Sequence, residues 1–181
     1  MGKAVSGRNY RETRWRRSPY MVAVALAIVM FVLVAPEVNE GSAMSPTIDD
    51  GQVLVVSKTS YSAKRGAPER DQIVILEKTT AQDLYEDNII ARVAGLPGET
   101  VEIKDGKVYI DGEEYITESG IAGADEELTV TLTEDQVFLL CDNREETIDS
   151  RNEALGPVDM KDIKGNVLIC VWPFSRFGGI D

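Results

Sequence analysis

A mostly β domain preceded by one apolar transmembrane helix is the fold class this sequence predicts, and three observations predict it. No charge occurs from Ser18 to Pro36, and Tyr20 to Ala35 is almost wholly apolar. Beyond Gly41 the chain turns into short segments rich in Val, Ile, Leu and Thr, separated by polar turns. Two Asp-Gly pairs, Asp105-Gly106 and Asp111-Gly112, sit between such segments and have the composition of tight hairpin turns.

Taken in order, residues 1–17 carry Lys3, Arg8, Arg11, Arg14, Arg16 and Arg17 against Glu12, without hydrophobic periodicity. They predict a basic, disordered cytoplasmic stub. Residues 18–36 predict a helix of ~28 Å at ~1.5 Å per residue, close to a hydrocarbon thickness of ~30 Å. The arginines before it, with Glu37 and Glu40 after it, orient the N-terminus inside the cell and the main domain outside. A cleaved signal peptide is the competing reading. Ala35-Pro36 makes a poor exit site, so a single-pass anchor in the cell membrane is favoured.

Residues 37–181 predict the extracytoplasmic β domain. Its expected strands are 52–56, 72–76, 89–94, 100–104, 107–110, 127–132, 136–140 and 166–172. The Asp-Gly turns make 100–116 a three-stranded meander, and the polar stretch 57–70 predicts a surface loop.

Composition excludes several functions. The whole chain has net charge −12, and the basic stub contributes +5, which leaves −17 on residues 18–181. Such an acidic body repels the phosphates that dominate nucleic-acid binding. The sequence contains no histidine, so a Ser-His-Asp triad, a Cys-His dyad and a His-ligated zinc site are excluded. A hydrolytic base here must be Lys or a carboxylate. Cys141 and Cys170 are too few for a disulfide framework, and two small buried hydrophobes is the favoured state.

Three separated segments carry a family resemblance. Gly41-Ser42-Ala43-Met44-Ser45-Pro46-Thr47 resembles the type I signal peptidase motif Ser-Met-x-Pro-Thr. Within it Pro46 disfavours helix at Ser45, and Thr47 is placed to cap the turn. Residues 89–99, IIARVAGLPGE, resemble that family's Lys-Arg-Val-x-Gly-x-Pro-Gly-Asp/Glu stretch. Residues 141–151, CDNREETIDSR, resemble Gly-Asp-Asn-Arg-x-x-Ser-x-Asp-Ser-Arg, and Val171-Trp172-Pro173-Phe174 resembles the closing segment. The order is the family's, and the resemblance covers residues 18–181. It implies a signal peptidase-type antiparallel β domain and Ser/Lys-dyad serine endopeptidase chemistry on signal-peptide-bearing preproteins. It implies no metal or organic cofactor.

Set against that pattern, the nucleophilic Ser falls on Ala43 and the general-base Lys on Ala91. A serine hydroxyl attacks only when a base takes its proton, and a Lys serves as that base only when desolvation lowers its pKa from ~10.4 toward ~7–8. Loss of the nucleophile in a serine protease costs ~10⁶ in turnover. Neighbours do not substitute. Ser42 would face the opposite side of an extended segment, Ser45 lies ~7 Å along it, and Arg92 does not deprotonate at usable pH.

The resemblance also assigns the surroundings. Thr147 takes the place of the hydroxyl that orients the Lys. Gly41, Met44 and Ile90 fall on substrate-binding positions. The amide of Ala43 would donate to the substrate carbonyl. Arg92, Asp142, Arg144, Asp149 and Arg151 fall on a structural ion-pair cluster. Cys141 replaces a Gly, which puts the local backbone in question.

Two functions follow. One is a signal peptidase whose dyad was changed to alanine by design, to trap substrate or prevent self-cleavage. The other is a natural pseudopeptidase that binds an extended peptide, for instance as a chaperone or scaffold for surface-fibre (pilus) subunits. An unrelated extracellular β module would not carry the three motifs in order.

Overall fold

The computed structural model of the protein describes residues 18–58, 60–62, 64–76, 88–116, 127–143, 145 and 149–180. The chain divides into a unit ending at Val34 and a second unit, Ala35–Asp181. The expected basic stub lies outside the described residues.

In the first unit, helix α1 spans Ser18–Leu33. Its described side chains are exposed throughout, although nearly all are apolar. The helix has 16 residues, and among the described residues no helix is long and apolar enough to cross a membrane. The expected span of 18–36 is corrected at its end, because Val34–Val38 form a strand, β1. Pro36 has no N–H to give a helix and disfavours helical geometry at Ala35, so the chain leaves the helix early and pairs with the next strand.

The second unit adds β2 (Val53–Ser57), β3 (Ile73–Leu76), β4 (Ile89–Gly95), β5 (Thr100–Lys104), β6 (Lys107–Ile110) and β7 (Glu113–Glu114). It continues with β8 (Leu128–Thr131), β9 (Gln136–Leu140), β10 (Val158–Asp159) and the long β11 (Ile163–Trp172). A seven-stranded sheet has the order β1-β2-β11-β3-β4-β9-β10, and a four-stranded sheet the order β7-β6-β5-β8. The described ladders from β2 to β11 are all antiparallel.

Both Asp-Gly turns form as expected. Asp105 and Gly106 have φ of 52° and 73°, and Asp111 and Gly112 have 51° and 84°. Positive φ at both central positions is the type I′ turn, whose twist matches that of the strands it joins. The expected meander gains a fourth strand, β8, on the free side of β5.

Strands β3 and β4 are buried along their whole length, so the large sheet is covered on both faces. Alternation along β4 sorts its side chains. Ile89, Ala91 and Val93 pack on one face with Val74, Leu76 and Leu139, whereas Ile90 packs on the other with Met44, Ile48, Leu54 and Ile75. A third cluster, including Val101, Val108, Phe138 and Leu140, joins the small sheet to β9. Gly95 sits at that junction, where a Cβ would come within 2.8 Å of Val101 Cγ2 and 2.9 Å of Phe138 Cβ. Any larger residue would push the two sheets apart.

The stretch 57–70 is only partly a surface loop. Tyr61 is buried and its hydroxyl donates toward Gln72 Oε1 (3.2 Å) and Asn166 Oδ1 (3.3 Å). An aromatic residue with a polar tip buries its ring and satisfies its hydroxyl inside, which the polar composition of the stretch concealed.

Candidate functional site

The segment Gly41–Thr47 forms a tight turn between β1 and β2. Gly41 has φ of +91°, a conformation open to glycine, and its N–H donates to Asp50 Oδ1 at 2.8 Å. The turn is closed by Ser45 N–H to Ser42 O (3.0 Å) and Ile48 N–H to Met44 O (2.8 Å), and the Ser45-Pro46 bond is cis. Met44 is fully buried in the core beside Ile90. Ala43, next to it, is half-buried.

Asp142 and Asn143, just past β9, fasten this turn to the sheet. Asn143 N–H donates to Ala43 O at 2.9 Å, and its side-chain amide donates to Ser42 O at 3.2 Å. The Thr47 hydroxyl donates to Asp142 Oδ2 at 2.6 Å. The expected role of Thr47 as cap of its own turn is therefore corrected, because the nearby buried carboxylate is the stronger acceptor.

Asp142 is held in turn from β4. Arg92 donates to it through Nε (2.9 Å) and Nη2 (2.8 Å), and its Nη1 reaches Asp71 O at 2.9 Å. The two side chains are 8% and 0% exposed. The Asp142 hydrogen bond raises the Arg92 pKa above its ordinary value, against the opposing pull of burial. Ala91, one residue earlier, is fully buried on the opposite face of β4, opposite Val74 on β3. Hydrogen bonds through Asn143 and Asp142 thus tie the Ser42–Thr47 turn to Arg92, and Met44 packs with Ile90, whereas Ala91 lies in the other core cluster, with Val74, Val93 and Leu139.

Within the expected cluster, the other described ion pair is Asp149 with Arg151, joined through Nε (2.9 Å) and Nη2 (2.8 Å). Asp149 is fully buried and also accepts from Cys141 N–H at 2.8 Å. The expected cluster is arranged, in its described part, as two pairs on either side of Cys141. Arg144 and Thr147 lie outside the described residues. Cys141 needs no glycine conformation, since the described non-glycine residues with positive φ are Asp71, Asp105 and Asp111. Cys141 and Cys170 are both buried, and Cys170 Sγ contacts Trp172 O at 3.2 Å.

Sequence reasoning missed Asn143, which secures the Ala43 carbonyl, and Asn39, whose side chain donates to Asp49 O at 3.0 Å. The Asp142-Asn143 dipeptide was the available signal for the first. It also missed a cleft of about 790 Å³ on the side that Arg92 faces, lined by Thr47, Gln52, Asp71, Gln72, Arg92 and Arg176 among others. Among the described residues no group of His, Cys, Asp and Glu is arranged to hold a metal ion.

Chemically, neither Ala43 nor Ala91 offers an atom that can attack or carry a proton. Ala43 sits in a turn stiffened by the Asn143 and Asp142 hydrogen bonds, and Ala91 is enclosed by apolar side chains of the core.

Residues 13–172 match the family described as signal peptidase, peptidase S26. The signal peptidase I of Bacillus licheniformis is 31% identical over 178 residues, 92% of each chain. That of Bacillus amyloliquefaciens is 35% identical over 185 residues, 95% of this chain and 91% of its relative. Signal peptidase I T of Bacillus subtilis (strain 168) is 35% identical over 170 residues, 86% of this chain and 83% of its own. A solved signal peptidase I from Enterococcus faecalis V583 superposes with a TM-score of 0.45 at 25% identity, covering 55% of this chain and 96% of that one. A match over most of the chain, with relatives above 30% identity along nearly their whole length, makes this chain a member of the type I signal peptidase family.

Proposed function

We propose that this chain is a non-hydrolysing member of the family, which binds an extended segment of a signal-peptide-bearing preprotein and does not cleave it. The observation that carries this reading is the pair Ala43 and Ala91. Aligned on the family motifs they take the positions of the nucleophile and the general base, and a methyl group does neither job. The binding half of the reading is supported by what remains. The turn bearing Ala43 is hydrogen-bonded to Asn143 and, through Thr47, to the Asp142–Arg92 pair, so its backbone is held as a fixed edge. Ile89–Ala91 offers the second edge, and an extended peptide adds between such edges by main-chain hydrogen bonds. The Ala43 amide is the candidate donor to the bound carbonyl.

The test is to mix the purified full-length chain with a labelled preprotein. Fluorescence anisotropy should rise on binding, while mass spectrometry finds only intact preprotein after prolonged incubation. Appearance of a product cut after the signal peptide would overturn the reading.

The same proposal places the protein at the membrane, with α1 in the bilayer, residues 1–17 inside the cell and the β domain outside. It is supported by the uncharged run Ser18–Pro36 and by an apolar helix whose described side chains are exposed all round. Alkaline carbonate should leave the protein in the membrane pellet; release to the supernatant would contradict the anchor.

A further inference from the structure

The seven-stranded sheet is open in its backbone and closed by side chains. In the strand order, β1 and β4 are separated by β2, β11 and β3, so no ladder joins them. Yet Glu37 Oε1 on β1 accepts a hydrogen bond from Asn88 Nδ2, on the residue immediately before β4. Lys164 Nζ on β11 lies 3.5 Å from the same oxygen. The sheet has therefore curled until its first strand meets its fifth. At the other end of the same gap, Asn143 binds the Ser42 and Ala43 carbonyls.

Between these two ties, residues 37–43 run past residues 88–91. On its other side β4 is paired with β3 from Leu76↔Ile89 to Ile73↔Arg92. Its described ladder with β9 starts at Arg92↔Leu140 and runs away from Ile89–Ala91. The edge of β4 that the described β3 and β9 ladders leave open at Ile89–Ala91 is thus a main-chain edge, and the Glu37 end of the gap is tied by side chains.

We propose that the Glu37–Asn88 hydrogen bond, reinforced by Lys164, is a latch on this gap, and that an extended peptide enters by opening it. The Glu37 side chain is 19% exposed and Lys164 35%, so water reaches the latch and it can open without unfolding the core. Strand β1 has one ladder partner in the strand order, β2, so its displacement disturbs a single ladder. This inference rests on the peptide-binding reading given above.

Two measurements on the full-length chain test it together. The first is hydrogen exchange of the backbone amides in 34–43. The second is the association rate of a fluorescein-labelled peptide containing Ala-Gln-Ala. Asn88→Ala and Glu37→Ala should each speed both by about tenfold, the size of one net hydrogen bond. Glu37→Gln keeps an acceptor for Asn88 but loses the attraction to Lys164, and should fall between them and the parent. Unchanged exchange in both alanine variants overturns the latch. Faster exchange with unchanged peptide association also overturns it, because the bond then guards nothing. Faster exchange with no peptide bound by any variant leaves a latch on the strand and instead refutes the peptide-binding reading on which its role depends.

Discussion

The Thr47 hydroxyl lies 2.6 Å from Asp142 Oδ2, the oxygen that Arg92 Nη2 holds at 2.8 Å from the other side. One carboxylate therefore joins the Ala43 turn to strand β4. Replacing Thr47 by Val keeps the shape and removes the donor. The expected cost is about 1–2 kcal/mol, near the lower part of the range for hydrogen bonds to charged groups because Thr47 is half-buried. Thr47→Ser keeps the hydroxyl and should cost less than half as much. Urea midpoints of the two variants check this, and a larger loss in the Ser variant than in the Val variant would mean that the methyl group, not the hydrogen bond, matters.

Arg92 and Asp142 should behave as a unit. Removing either partner leaves a buried charge without its counterpart, and Arg92→Met is expected to cost about 3–5 kcal/mol. Pairing it with Asp142→Leu removes both charges, so the double variant should lose much less than the two single losses added together. A double-mutant cycle by chemical denaturation measures this coupling. Additive losses would show that the pair is not what holds the corner.

Tyr61 gives a pH dependence of known sign. Burial raises its pKa above the ordinary 10.0, with the Gln72 hydrogen bond opposing in part. The folded state then holds the phenol proton more tightly than the unfolded chain. The stability this contributes is complete below about pH 10 and is lost as pH rises through the folded value. Relative to Tyr61→Phe, the parent should therefore lose stability progressively above that pH. A difference that stays flat, or grows, across the alkaline range would contradict the assignment.

Ala91 lies without exposure among Val74, Val93 and Leu139. Ala91→Lys would force an amine and four methylenes into that packing, and should destabilise the fold by about 1–3 kcal/mol or more from overpacking, with the buried charge added to it. Burial lowers the pKa of such an amine, so the unfolded chain would bind the proton more readily. The deficit should then shrink as pH rises from the depressed value toward ~10.4. Denaturant midpoints across that range decide the matter. A variant as stable as the parent at neutral pH would mean that position 91 is not enclosed.

The β domain was largely legible because its signals are local. Asp-Gly pairs dictate type I′ turns, and the alternation in 100–104 and 107–110 survives as buried and half-buried residues. The continuous apolar run of β3 marked a strand covered on both faces. What the sequence hid depends on contacts distant along the chain. Strand β1 was read as the end of a membrane helix, because the run Val34-Ala35 is apolar and its pairing with β2 leaves no local trace. The partner of Thr47 lies 95 residues away at Asp142, and Tyr61 meets Asn166 across 105 residues. Within the site, the side-chain orientation that sends Ala91 and Arg92 to opposite faces follows from strand periodicity alone. The Glu37–Asn88 contact needed the curl of the whole sheet.

The central claim is that the scaffold is competent and that only two side chains are missing from it. The most direct measurement is preprotein cleavage by the full-length chain, by Ala43→Ser, by Ala91→Lys, and by the double variant, each shown to be folded. The account predicts that the parent and both single variants leave the preprotein intact and that the double variant releases its signal peptide. A folded double variant that binds but never cuts would contradict the claim, as would cleavage by the parent chain.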